Sequence, residues 1–337
     1  MKVLGSSWNG SKSKRMSKKN PIVSICCITY NHAPFIRKAL EGFLMQEPPV
    51  GVSADEPWYE ILIHDDASTD GTTEIIKEYA AKYPDIIFPL YETENQYSKV
   101  GVGRMDLFNY RRVRGRYMAY CEGDDYWTDS LKLQKQVDFM DAHPNYSICF
   151  HACEVYDSRS GRTYTEPGKN PANMTNGGVD VSSDMFMRRE FPAQPLTMLM
   201  RTSMYNLKWF DIYPGYRDTH EVYNLLRVGK GYFMDFYGGT YIKHPGGVSS
   251  AVTEEKSCVE VRDCFGDLYI HNSDDSLLRD RLVSALLWNH DIYQRRGNLN
   301  EFHRMMRKFW VKTPMVAVEV YRKIVAKRLK RWCNGAH

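Results

Sequence analysis

The hydrophobic and polar positions along the chain divide it into two unlike halves. From Pro21, Ile22 to Ile28 is one continuous apolar run, and Pro34 then opens a segment with Phe35, Ile36, Ala39, Leu40, Phe43 and Leu44 on one side. That pattern predicts a buried strand followed by an amphipathic helix. The alternation recurs in strand Tyr59 to His64, a helix after Asp70-Gly71 carrying Ile75, Ile76 and Tyr79, strand Ile86 to Tyr91 and helix Val102 to Val113. Strand Tyr117 to Cys121 and a helix with Leu133, Val137 and Met140 complete it. Strands without polar alternation are buried on both faces, and alternating β and α units give a mostly parallel sheet with right-handed crossovers. The first 150 residues therefore predict a doubly wound α/β unit.

From about Asn145 the regularity fades. A Pro/Gly/Asn-rich stretch, Glu166 to Gly178, reads as a surface loop, followed by helix Thr219 to Arg227, strand Tyr232 to Phe236 and the turn His244-Pro245-Gly246-Gly247. After Glu254 the pattern is helical, including Leu277 to Trp288 and Leu299 to Trp310. The last segment, after Thr313-Pro314, predicts an amphipathic helix with Val318, Tyr321, Val325, Leu329 and Trp332 on one face. Arg322, Lys323, Lys327, Arg328, Lys330 and Arg331 crowd its polar side, which suits an anionic membrane surface. The alternative is a helix packed on the body of the protein with a solvated basic face.

Composition adds three points. With 337 residues and 43% hydrophobic content the chain can bury a sizeable core. Its net charge of +4 is uneven: no acid precedes Glu41, and residues 1–20 hold six lysines and arginines in a polar setting, a basic flexible tail. No apolar run is long enough to span a bilayer and the start lacks a secretory h-region, so the expected location is cytoplasmic, at the inner face of the membrane if the terminal helix binds there. The eight cysteines form no Cys-x-x-Cys pair and read as reduced, buried thiols. Basic and aromatic residues form no nucleic-acid-binding motif, so no nucleic-acid partner is expected.

In an open parallel sheet, ligands bind beyond the carboxyl ends of the strands. Three polar clusters stand there: Thr29-Tyr30-Asn31, Asp65-Asp66-Ala67-Ser68 and Glu122-Gly123-Asp124-Asp125. Clustered carboxylates repel unless a cation or hydrogen-bond donors neutralise them, and hard divalent ions prefer oxygen, so a metal carrying phosphates is the natural occupant of the third. Gly123 would let the backbone turn sharply and approach a ligand. Helix capping is the competing role, and it suits Asp70 and Asp129. At Asp65-Asp66 a turn and helix start compete with ligand binding; an ionised Asp there can accept the imide N–H of uracil or thymine, and Tyr30 can stack on a base.

These residues, in this order, resemble the family 2 glycosyltransferases, inverting enzymes of the GT-A fold, many of which build bacterial surface polysaccharides. The resemblance covers about residues 21–250 and rests on Val23-Ser24-Ile25 leading to Thr29-Tyr30-Asn31, on Asp65 to Thr72, and on Arg114-Gly115-Arg116-Tyr117 running into Glu122 to Trp127. It implies an α/β GT-A nucleotide-sugar-binding fold with a central mostly parallel sheet flanked by helices, plus a C-terminal helical extension. The implied division is a nucleotide-binding half, 21–130, an acceptor half, 131–250, and the extension, 251–337. By the same resemblance Thr29, Tyr30 and Asp66 hold a uridine-type base, Asn31, Glu122, Asp124 and Lys243 belong to the donor site, and Mg2+ or Mn2+ is held by Asp125, Asp124 and His244. Glu122 stands where Asp is commoner.

The family's acid at a helix start, about eleven residues before Gly-Lys, matches Asp218 before Gly229-Lys230, which makes Asp218 the expected base; His220 and Glu221 lie within one turn of it, as alternative bases or its supporting partners, or else as decoration of an exposed helix. The later Tyr-Arg-x-His-x-Gly-x-x-Ser turn is similar to Tyr241 to Ser249, with Ile242 in place of Arg. The expected partners are a nucleotide-sugar donor and a saccharide or lipid-linked saccharide acceptor. The alternative is a catalytically weak nucleotide-sugar-binding or scaffold protein on the same fold. A nucleotidyltransferase needs a Gly- and Lys-rich phosphate loop after the first strand, and a dinucleotide oxidoreductase needs Gly-x-Gly-x-x-Gly; Thr29 to His32 is neither.

Overall fold

The apolar runs of the first half become strands β1 (Val23–Thr29), β2 (Tyr59–Asp65), β3 (Ile87–Tyr91) and β4 (Tyr117–Tyr120). Between them lie helices α1 (Ile36–Leu44), α2 (Thr72–Lys82), α3 (Tyr97–Val100) and α4 (Asp106–Tyr110). The computed structural model describes residues 20–53, 57–100, 105–165, 177–190, 194–247 and 252–334. The basic tail through residue 19, the start of the predicted Val102 helix, most of the Glu166 loop and Val248-Ser249 lie outside the described residues.

The strands lack polar alternation because both faces are covered. Cys26, Leu62 and Met118 enter one core, while Val23, Ile25, Ile61, Ile63 and Ala119 enter another, packed by Ile36, Leu40 and Ile76 of α1 and α2. Parallel registers Thr29↔Asp65 and Cys26↔Tyr120 bring the carboxyl ends of β1, β2 and β4 to one edge.

The rest of the sheet is built by β5 (Tyr126–Trp127), α5 (Lys132–Ala142), β6 (Tyr146–Asp157), β7 (Arg162–Tyr164), β8 (Gly178–Val181), α6 (Ser183–Arg188), β9 (Leu199–Arg201), α7 (Trp209–Ile212), α8 (Asp218–Val228) and β10 (Lys230–Lys243). The strand order is β3-β2-β1-β4-β9-β6-β10-β5, with β7 on β6 and β8 on β10. The long ladders are parallel, and β9 inserts antiparallel between β4 and β6. Strand β10 runs well past the predicted Tyr232 to Phe236, with register shifts between Met234 and Gly239. Helices α9 (Glu254–His271), α10 (Ser276–Arg295), α11 (Leu299–Lys312) and α12 (Pro314–Asn334) follow. Their Leu268, Leu282, Phe302 and Val320 share a core with Phe150, Val222 and Phe233 of the sheet and α8. The seven described cysteines are free, and six are buried.

Candidate active site

The loop after β4 is fastened to the end of β1. The Gly123 N–H donates to the Ile28 carbonyl at 2.9 Å, and Asp66, after β2, donates its N–H to the Thr29 carbonyl at 3.0 Å. Gly123 is required by a close approach, but to protein: a Cβ there would stand 2.7 Å from Thr29 Oγ1 and 2.8 Å from Thr29 Cβ. The sharp turn expected of this glycine is present, since the Asp125 N–H donates to the Glu122 carbonyl at 3.1 Å, and the group that approaches Gly123 most closely is Thr29, which is fully buried. The next two residues reach β10. Asp125 is buried and its Oδ1 accepts the Ile242 N–H at 2.8 Å, while Asp124 Oδ2 lies 3.0 Å from His244 Nε2 and 3.6 Å from His32 Nε2.

Asp124 is thus common to two groups able to hold a cation. Glu122, Asp124 and Asp125 form one, and His32, Asp124 and His244 the other, with one ligand atom from each member within 4.8 Å of the rest. The donor set is hard oxygen supplemented by imidazole, which suits Mg2+ or Mn2+. Asp124 Oδ1 is buried with no hydrogen-bond partner, an arrangement that is costly unless a donor or cation meets it. Burial, then the charges of Asp124 and Glu122, push Asp125 up; burial, then Asp124, Asp106 and Asp218, push Glu122 up. Burial pushes Asp124 up as well, but the His244 hydrogen bond and the His32 charge outweigh it and hold this carboxyl below the usual range. These residues fit a divalent ion.

Asp218, at the start of α8, opens to solvent yet sits amid dense protein, and its Oδ1 accepts the Thr219 N–H at 2.8 Å. This enclosure raises its pKa. Its charge reaches both Glu122 and Asp106: burial, opposed by a Tyr120 hydrogen bond and aided by the Asp218 charge, pushes Asp106 up to about 7. The neighbours of Asp218 are not surface decoration. His220 is fully buried against Tyr216 and Cys264, and burial brings it down to about 3, so it is neutral and faces the core. Glu221 is buried too, accepting from Tyr110 Oη at 3.1 Å and Tyr205 Oη at 3.3 Å.

The remaining sequence candidates occupy distinct places. Tyr30 is exposed beside the site, and Asn31, at φ 54, joins the β1 and β2 loops: its N–H donates to Ser68 Oγ at 2.9 Å and its Oδ1 accepts the Thr69 N–H at 2.8 Å. Asp66 is buried and already engaged, accepting from Asn95 Nδ2 at 2.8 Å, the Tyr97 N–H at 3.1 Å and the Gln96 N–H. Lys243 ends β10 with its Nζ donating to Tyr164 Oη at 2.8 Å. Asp70 and Asp129 act at helix starts, accepting N–H groups of Thr72 and Leu131 at 3.1 and 2.9 Å.

The family model described as glycosyl transferase family 2 matches residues 24–202, more than half of the chain. The chain belongs to glycosyl transferase family 2. Among curated relatives, an uncharacterized Mycobacterium tuberculosis protein is 45% identical over 133 residues, 40% of this chain and 35% of its own length. The putative teichuronic acid biosynthesis glycosyltransferase TuaG of Bacillus subtilis is 34% identical over 37% of this chain and 44% of its own. Escherichia coli WfaP, named a UDP-Glc:alpha-D-GlcNAc-diphosphoundecaprenol beta-1,3-glucosyltransferase, is 32% identical over 38% and 47%. The chain thus spans under half the length of these relatives. In fold it is similar to S. aureus TarS, solved with UDP-GlcNAc, at TM-score 0.55 and 16% identity over 80% of this chain and 72% of that one. The GT-A fold expected from the sequence is the one observed.

In this family 2 glycosyl transferase, two site residues escaped the sequence reading. His32 directly follows the Thr29-Tyr30-Asn31 cluster, and its spacing alone assigns it no role. Asp106 lies on the short α4, where nothing in its spacing separates it from a helix-surface acid.

Proposed function

We propose that the chain transfers a sugar from a nucleoside diphosphate donor, UDP-linked in the first instance, to a hydroxyl of a saccharide or lipid-linked saccharide, inverting the anomeric carbon, in cell-surface polysaccharide synthesis. The observation that carries this reading is the buried, unpartnered Asp124 Oδ1 at the junction of both candidate cation groups. Asp124, Asp125 and His244, with Glu122 or His32, would hold Mg2+ or Mn2+, which supplies positive charge for the departing diphosphate.

Asp218 takes the proton of the acceptor hydroxyl as that oxygen bonds to the anomeric carbon, and the bond to the diphosphate breaks with its electrons leaving on the nucleotide. The raised proton affinity of Asp218 suits a general base at neutral pH. Tyr30 offers an exposed ring for stacking on the base, Lys243 brings charge near the diphosphate, and Asn31 fixes the base loop against Ser68 and Thr69. Asp66 anchors the Asn95–Tyr97 segment beside that loop; Oδ2 takes two of those donors and Oδ1 one, which leaves an acceptor site on Oδ1 for an imide N–H. Uridine donors come first because TarS is solved with UDP-GlcNAc and WfaP is named for UDP-Glc.

The test is a screen of nucleotide sugars with Mn2+ and saccharide acceptors. Wild-type protein consumes at least one donor, and Asp218→Asn loses turnover by about a hundredfold or more while still binding it. If no nucleotide sugar is bound or consumed, the scaffold reading replaces this one.

A further inference from the structure

We infer that the outer face of α12, with the end of α11, rests on an anionic membrane surface. This does not depend on the reaction proposed above. Helix α12 is apolar on two sides. Val316, Ala317, Val320 and Ile324 are buried in the protein core, and Tyr321 turns inward to receive a hydrogen-bonding contact with His303 Nδ1 at 2.8 Å and the stacked ring of Trp310. A helix that has thus buried one stripe is ordinarily polar on the other side.

Here the other side is also apolar. Met315 is 74% exposed, Val325 53% and Leu329 57%, and Val318 is exposed with them at helical spacing; Val311, at the end of α11, is 83% exposed. Contiguous apolar surface of this kind marks an interaction site. The sequence reading put Tyr321 on the outward stripe; the packing replaces it with Met315 and Val311. Arg322 falls within the stripe, and Lys323, Lys327, Arg328 and Lys330 flank it, all exposed. Glu319 is the only acid in Pro314–Asn334, against six lysines and arginines, and it is paired with Lys323 at 2.9 Å.

The combination selects the occupant. Nucleic acid would match the charge and leave the apolar stripe in water. A second copy of the chain would bring the same positive charge against itself. Anionic lipid satisfies both features: headgroups meet the basic flank while Val318, Val325 and Leu329 enter the acyl boundary. None of the described helices is long and apolar enough to cross a membrane, so α12 would lie in the interface plane.

Co-sedimentation with phosphatidylglycerol-containing and pure phosphatidylcholine vesicles tests this, using the full chain and two paired variants, Val325→Glu with Leu329→Glu and Arg322→Glu with Arg328→Glu. The wild type is expected to bind the anionic vesicles, to bind neutral ones at least about tenfold more weakly, and to be released by salt; each pair lowers binding about tenfold or more. Unchanged thermal midpoints show that the variants fold, and Val311→Glu replaces any pair that does not. Absence of wild-type binding to anionic vesicles, variants that bind like wild type, or self-association that the variants abolish without any vesicle binding would each overturn the proposal.

Discussion

His244 Nε2 stands 3.0 Å from Asp124 Oδ2, joining residues 120 positions apart at the mouth of the sheet. The contact exists because Asp125 accepts the Ile242 N–H, so the end of β10 is held against the loop after β4. Asp124 is therefore positioned by two elements, one from each half of the chain. His244→Ala should weaken Mn2+ binding by roughly ten- to a hundredfold, within the range for loss of a metal ligand or its supporting partner, as read by calorimetric titration of Mn2+ in the presence of UDP.

Gly123 packs on Thr29 too closely for any side chain. Gly123→Ala should cost about 1–3 kcal/mol in urea unfolding, the range for overpacking a well-filled interior. Adding Thr29→Ala should restore only part of this loss, because the Thr29 Cβ, itself 2.8 Å from the new methyl position, remains. Unaltered stability of Gly123→Ala would show that the two loops can separate freely.

Asp66 neutralises three donors from the segment Asn95 to Tyr97. Asp66→Ala leaves those N–H groups without their acceptor and should cost about 1–3 kcal/mol in global or local stability, measured by denaturant unfolding and by hydrogen exchange at Gln96 and Tyr97. A residue serving only a nucleotide base would change donor affinity and leave the ligand-free stability alone.

Buried histidines give the fold an acid limit. Burial, and then Arg112, lower His64 to about 4, and burial, then Arg217, lower His220 to about 3. The unfolded chain protonates these imidazoles near pH 6.5, so between that value and the folded values the unfolded state binds more protons. Their contribution is fully present above about pH 6.5 and is lost as the pH falls towards 4, on the order of 2–3 kcal/mol for His64. Urea midpoints should fall across that window, and His64→Phe, which keeps the stack on Phe108, should make the fall shallower.

How far this was legible follows from what each strand buries. β1, β2 and β4 are covered on both faces, so they appear as unbroken apolar runs and the acids beyond them stand out. β6 is also buried, but it carries Ser147, whose Oγ donates to the Leu225 carbonyl at 2.7 Å, and His151, which lies fully buried; these polar positions break the apolar run and hid the strand. β10 was seen only in part because its register shifts around Tyr237 and Gly239 interrupt the alternation. At the site, Asp124, Asp125 and Asp218 were visible as acids at strand and helix ends. The engagement of Asp66 with residues 95–97, the contact of Gly123 with Thr29 and the arrival of His32 at Asp124 arise from tertiary contacts that no local spacing encodes.

The proposed function requires that Asp124 make donor binding depend on a divalent cation. The direct measurement is the UDP dissociation constant by calorimetry for wild type and Asp124→Asn, each with Mn2+ and with chelator. Wild type is predicted to bind UDP at least about tenfold more tightly with Mn2+, and Asp124→Asn to lose that difference. Equal UDP affinity with and without Mn2+ in the wild type, or an undiminished Mn2+ effect in Asp124→Asn, would contradict the account.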